Sequence, residues 1–195
     1  MDLSKPGVRA LGVAESYRGS SDGERDDDSV LAGVVMRADG RVEGFEFGRA
    51  TVGGLDVTES VARIYDDLGR EDVGAVMVSG LALAWYNIVD LDALHRRTDL
   101  PVVCVTYEES EGLDEAIERE FEGEEAEKRL ELYRRQKERR RVVLQTGETV
   151  FVRSSGTEGD ESVRLVEKFT THGKKPEPLR VARLAARGVV DWSEK

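Results

Sequence analysis

The segment AVMVSGLALAWYNIVDLDAL, residues 75 to 94, runs as an apolar strand, breaks at Ser79-Gly80, passes two aromatics and then presents Asn87, Asp90 and Asp92. In open α/β sheets, polar groups placed directly after a buried strand mark the carboxyl ends where sites are built. A second acidic group, Asp56 and Glu59 in GGLDVTES, follows Gly53-Gly54, whose bare backbone lets a phosphate approach closely. The run RRQKERRR (134 to 141) holds six Arg and Lys in eight positions, among them Arg139, Arg140 and Arg141. Such a run can track a phosphate backbone, or it can balance the acidic segment before it through i,i+4 pairs. Trp85 and Tyr86 suit either stacking on an extruded base or core filling. His95 and His172 are isolated, with no His or Cys at ligand spacing, which argues against zinc. No dinucleotide fingerprint or P-loop is present, and no G-x-S-x-G elbow makes Ser79 a hydrolase nucleophile.

The elements that must position these groups are bounded first by composition. The 195 residues predict one domain spanning 1–195. Forty acidic against 29 basic side chains give a net charge of -11, so the surface is anionic. The cations are mostly Arg, and a Lys-poor anionic surface suits a halophilic protein that stays soluble when salt screens its self-repulsion. An ordinary acidic protein has the same look. The single Cys104, within PVVCV, excludes an internal disulfide framework and reads as a buried thiol. No apolar leader-like run opens the sequence and no stretch reaches the ~18 apolar residues of a spanning helix. A cytoplasmic location without membrane contact is therefore expected.

RALGVAES (9 to 16) reads as a strand, followed by a loop, YRGSSDGERDDD (17 to 28), expected to be solvated and mobile. SVLAGVVMR (29 to 37) and RVEGFEF (41 to 47) flank Ala38-Asp39-Gly40, a hairpin signal, so the first three strands form an antiparallel meander. ESVARIYDDL spaces Val61, Ile64, Tyr65 and Leu68 as a helix capped by Thr58. VGAVMVS (73 to 79) is a buried strand, 90 to 97 a helix, and LPVVCVTY (100 to 107) a second buried strand, which implies a parallel crossover. Residues 111 to 141 read as a wet helical region with a break at Gly123. VVLQTGETVFVR (142 to 153) is a hairpin, and SVRLVEKF and PLRVARLAARGVV are amphipathic helices.

Three antiparallel strands, a helix, then alternating parallel strands and helices is the order of the ribonuclease H-like fold. Within it, TVGGLDVTESV (51 to 61), VSGLALAWYNIVDLDAL (78 to 94), LPVVCVTY (100 to 107) and PEPLRVARLAARGVV (176 to 190) resemble the archaeal endonuclease dU family, a relative of endonuclease V. The likeness runs in order along nearly the whole chain. It implies an α/β fold with a ribonuclease H-like mixed sheet, flanking helices and a C-terminal hairpin and helices. It also implies a metal-dependent nuclease of DNA repair that cuts DNA near a deaminated base such as deoxyuridine. Such chemistry needs two or three carboxylates holding Mg²⁺ or Mn²⁺ to activate water and stabilise charge on the scissile phosphate.

Carried over residue by residue, the resemblance puts the first acid on the first strand, where relatives read Gly-hydrophobic-Asp-Asp. This chain reads Gly12-Val13-Ala14-Glu15, which leaves Glu15. The second acid is Asp56, with Glu59 at the spacing used by endonuclease V. Both also suit helix capping and first-turn charge. The third falls directly before Gly80, where this chain has Ser79, a weaker ligand because it brings no formal charge. Asn87 and Asp90 match the family's aromatic-Asn-hydrophobic-hydrophobic-Asp pattern, and Asp90 also suits a helix cap. The implied catalytic set is Asp56, Glu15 and Glu59, and the implied metal set is Asp56, Glu15 and Asp90. Contacts to nucleic acid fall to Ser79, Asn87, Arg139, Arg140 and Arg141. Two missing acids leave a second function open, a non-catalytic nucleic-acid-binding module of the same fold, and a third, a structural or regulatory protein. The oligomeric state is not legible.

Overall fold

The computed structural model describes residues 7–17, 28–157 and 160–193. β1 (Arg9–Ser16), β2 (Asp28–Arg37) and β3 (Val42–Thr51) form the antiparallel meander. Its hairpin turns at Asp39-Gly40, where Gly40 takes a φ of 89° and donates its N–H to the Arg37 carbonyl. The 17 to 28 loop expected from the sequence lies, over 18 to 27, outside the described residues.

α1 (Val57–Leu68) leads to β4 (Ala75–Ser79), which runs parallel to β1. Thr58 does not cap this helix. Asp56 holds the cap position, and the Thr58 hydroxyl instead accepts from the Asp90 N–H at 2.9 Å. A two-stranded pair absent from the sequence reading, β5 (Ala82–Leu83) and β6 (Asn87–Ile88), precedes α2 (Leu91–Thr98). β7 (Val102–Thr106) then lies parallel to β4.

The charged stretch breaks just before Gly123 and is helical only to Arg135. It forms α3 (Asp114–Glu120) and α4 (Gly123–Arg135), with Phe121 and Glu122 extended between them. β8 (Arg140–Val143) takes up the last two arginines of the basic run and pairs with β9 (Thr149–Ser155), which lies antiparallel to β7. A strand starts there because Val142 and Leu144 must reach the core. α5 (Glu161–Phe169) and α6 (Glu177–Ser193) complete the chain. The seven-stranded mixed sheet has the order β3-β2-β1-β4-β7-β9-β8.

Alternate residues of the sheet feed two cores, as strand geometry requires. Val76, Val78, Val102 and Cys104 pack with α1 and α2, while Ala75, Met77, Val103 and Val105 pack with α5 and Leu179 of α6. Central strands covered on both faces need no polar alternation, which explains the continuous apolar runs of β4 and β7. Burial pushes the Cys104 thiol up to about 12, consistent with an unreactive core residue.

Candidate functional site

β4 and β7 end side by side and open onto a cleft of about 520 Å³. Ser79 of β4 with Gly80 after it, and Val105 and Thr106 of β7 with Tyr107 and Glu108 after them, line it, and Arg139, Arg153, Lys175 and Arg183 reach it from later in the chain. Among the described residues none of these four cations has a carboxylate partner within 4.0 Å. Arg139 donates to the Glu108 and Ser110 carbonyls, Arg153 to the Lys137 carbonyl, and Arg183 to the Glu15 carbonyl at 3.3 Å. Backbone carbonyls fix these side chains without neutralising them. Glu108 and Glu109 also line the cleft.

Three other arginines of the basic run are paired with carboxylates. Arg134 pairs with Asp114 at 2.7 Å, Arg135 with Asp90 at 2.6 Å and Arg140 with Asp160 at 2.5 Å. Arg141 reaches only the Thr149 hydroxyl, at 3.4 Å. Of the three arginines singled out in the sequence, the fold brings Arg139 alone to the cleft.

Ser79 lines the cleft, but Glu15, Asp56 and Asp90 do not. Glu15 accepts from the Ser29 hydroxyl and from the Ala84 N–H, both at 2.8 Å. The Asp56 carboxylate accepts from the Thr51 hydroxyl, the Thr51 N–H and, at 2.6 Å, the Asn87 side-chain amide. Burial pushes its pKa up, but these hydrogen bonds together outweigh burial and hold it below the ordinary carboxylate value. Asp90 caps α2 through the Ala93 N–H and pairs with Arg135. Glu59 is exposed in the first turn of α1.

A divalent ion needs several oxygen ligands free to converge. Among the described residues no group of three or more His, Cys, Asp or Glu is placed to hold one, and Glu15, Asp56 and Asp90 are each engaged by protein donors. These residues do not fit the Mg²⁺ or Mn²⁺ site that the family resemblance implies. Ala14, where the family resemblance implies an acid, is fully buried and clusters with Val34 and Ala182 of α6, so an acid there would be desolvated without a partner.

Glu15 and Asn87 instead hold a bent aromatic tip. Ala84, Trp85 and Tyr86 all take left-handed φ angles, 44°, 58° and 57°. Non-glycine residues avoid this region unless their surroundings enforce it. Glu15 grips the Ala84 N–H, and the Ala84 carbonyl accepts from the Gly53 N–H at 2.7 Å. The Asn87 side chain donates to the Thr51 carbonyl and accepts from the Val57 N–H. Behind the tip, Tyr86 packs edge-on against Phe121, and the fully buried Arg129 lies 3.9 Å over that ring while donating to the Gly53 carbonyl. Trp85, edge-on to Tyr86, is 37% exposed.

Lys175, Arg183 and Arg153 were not singled out in the sequence. A signal existed for one of them. Arg180, Arg183 and Arg187 are spaced three and four apart in PEPLRVARLAAR, so they share one face of α6. That stripe was masked by the apolar pattern of the same helix.

A meander, parallel strands and a cleft at their carboxyl ends define the ribonuclease H-like architecture of endonuclease V. The structure of Ciona intestinalis endonuclease V, in complex with a DNA containing an inosine followed by a ribo-adenosine, superimposes with a TM-score of 0.64 at 14% identity over 97% of this chain and 87% of that one. The crystal structure of an Archaeoglobus fulgidus protein of unknown function superimposes with a TM-score of 0.78 at 25% identity, over 93% of this chain and 98% of that one. A Pyrobaculum calidifontis UPF0215 protein is 38% identical over 93% of this chain and 97% of its own length. Residues 6–190 match the endonuclease dU family, and the chain belongs to it.

Proposed function

We propose that this protein recognises deaminated, deoxyuridine-containing DNA as one unit of residues 1–195, and cleaves it slowly or not at all. The observation that carries this reading is the cleft lined by Arg139, Arg153, Lys175 and Arg183, cations left without carboxylate partners in a chain of net charge -11. Uncompensated cations that attract phosphate are costly to keep in an acidic protein unless a polyanion meets them. Family membership and the DNA held by the Ciona relative support DNA as that polyanion. Trp85, on its rigid tip, provides a face on which an unpaired base can stack.

The test is fluorescence anisotropy with a labelled single strand containing deoxyuridine and its thymidine control. The deoxyuridine strand is expected to bind tighter. Arg139→Gln with Arg153→Gln should weaken both and flatten the log-affinity against log-salt slope by roughly 0.7 per lost phosphate contact. Trp85→Ala should remove about 1–3 kcal/mol of stacking. Equal binding of both strands, untouched by these variants, sinks the proposal.

Family membership favours a second reading, cleavage with Mg²⁺ or Mn²⁺ on Glu15 and Asp56 aided by Glu59 or Asp90. Rapid scission of a deoxyuridine duplex in Mn²⁺ that is lost in Asp56→Asn would establish it.

A further inference from the structure

A second cavity, of about 380 Å³, adjoins the cleft and shares Ser79, Lys175 and Arg183 with it. Its other lining includes Arg180 and Arg187 from the basic stripe of α6 and the hydroxyl-bearing Ser16 and Tyr17, and among the described residues no carboxylate lines it. Arg180 is paired with Glu177 at 2.7 Å and Arg187 loosely with Asp191 at 3.9 Å. Lys175 and Arg183 have no carboxylate partner within 4.0 Å among the described residues. Tyr107 closes the neighbouring wall, its ring 5.4 Å from the Lys175 ammonium. The Tyr107 hydroxyl oxygen is buried and makes no hydrogen bond of ordinary geometry among the described residues, although Ser79 is close enough to act on its pKa. Burial pushes this phenol up to about 12, so it keeps its proton, with Ser79 and Arg183 pulling weakly the other way.

We propose that the junction of the two cavities at Ser79 is a metal-independent phosphate site, in which Lys175 and Arg183 supply the positive charge that a divalent ion would otherwise supply. The reasoning is one of charge and donors. A phosphate oxygen needs either a bound cation or several charged donors. Here the strand end carries the neutral hydroxyl of Ser79, and a carboxylate in its place would repel the same phosphate that Lys175 and Arg183 attract. The neutral strand end and the two cations without a carboxylate partner among the described residues thus form one electrostatic arrangement. The natural ligand, a phosphate of nucleic acid, rests on the reading of the cleft given above, but the anion site can be tested apart from it.

The experiment is calorimetric titration of inorganic phosphate into the full chain, once in EDTA and once in Mn²⁺. Equal affinity in both is expected. Lys175→Gln and Arg183→Gln should each weaken binding roughly tenfold, the loss of a charge-assisted hydrogen bond. Because Arg183 also holds the Glu15 carbonyl, Arg183→Lys serves as the folding-neutral control and should retain most of the affinity. Ser79→Asp should abolish phosphate binding in EDTA. Phosphate binding that requires Mn²⁺, or that persists in the Lys175→Gln, Arg183→Gln double variant, overturns the site. Competition of phosphate against the labelled deoxyuridine strand separates sources: displacement assigns the site to a nucleic-acid phosphate, and tight phosphate binding without displacement assigns it to free phosphate. DNA binding without phosphate binding removes this inference alone, and the converse removes only the reading of the cleft.

Discussion

Asn87 shows how much one buried amide decides. Fully enclosed, it donates to the Thr51 carbonyl and the Asp56 carboxylate and accepts from the first N–H of α1. Removing it leaves the first N–H of α1 unpaired, at a cost of about 1–3 kcal/mol when buried, while the Thr51 carbonyl keeps the Gly54 N–H at 2.9 Å. Asn87 also helps to hold Asp56 below its ordinary pKa. Stability from a lowered carboxylate is present above the unfolded value of about 3.9 and is lost as pH falls through the folded value. Asn87→Ala should therefore lower the thermal midpoint most near neutrality, and its deficit should narrow on acidification from about pH 7 to about pH 3. Circular dichroism melts of both proteins at the two pH values test this. A constant deficit would mean that the Asp56 contact contributes nothing.

At the scale of elements, α6 lines most of the smaller cavity and sends Arg183 to the larger one, and its seat depends on small residues. Gly12 of β1 has no Cβ, and one built there would fall 2.5 Å from the Pro178 carbonyl carbon and Cβ. Ala14 and Ala182 meet one strand pair further on. This closeness brings Arg183 onto the Glu15 carbonyl. Gly12→Ala cannot be absorbed by a flexible side chain, since the obstacle is a proline and its backbone, so α6 must lift. A cost of about 1–3 kcal/mol in urea unfolding is expected, together with weaker phosphate binding. Full stability with unaltered binding would show that α6 tolerates displacement.

The whole molecule carries opposing salt dependences. With 40 acidic and 29 basic residues, self-repulsion works against compaction, and raising salt from about 0.1 M to about 1 M cuts the Debye length from about 10 Å to about 3 Å. Scattered surface pairs such as Arg49 with Asp28 are worth little, ~0–1 kcal/mol, and cannot dominate. The thermal midpoint should rise over this range while affinity for the deoxyuridine strand falls, because each counterion released from the strand gains less entropy in concentrated salt. A midpoint that drops with salt would mean that specific ion pairs outweigh net charge. No helix among the described residues is long and apolar enough to cross a membrane.

The layered sheet was legible in the sequence because its causes are local. Asp39-Gly40 turns the first hairpin, the unbroken apolar runs of β4 and β7 announce strands covered on both faces, and the spacing of Val61 and Ile64 gives α1 its buried stripe. The family was legible for the same reason, since its segments recur in order. The sequence did not show which charges are left over. Arg135 and Arg140 look like Arg139 in the run, and only the fold sends the first to Asp90, the second to Asp160 and the third into the cleft. Glu15 meets the Ala84 N–H across 69 positions, and its carbonyl meets Arg183 across 168. The three left-handed residues at 84 to 86 carry no glycine to announce them. Pairing between distant residues depends on where helices seat against the sheet, and that is fixed by the summed packing of both cores. The sequence therefore determined the elements and their order, while tertiary structure decided that Glu15, Asp56 and Asp90 are held by protein partners and that Arg139, Arg153, Lys175 and Arg183 meet at the strand ends without a carboxylate partner among the described residues.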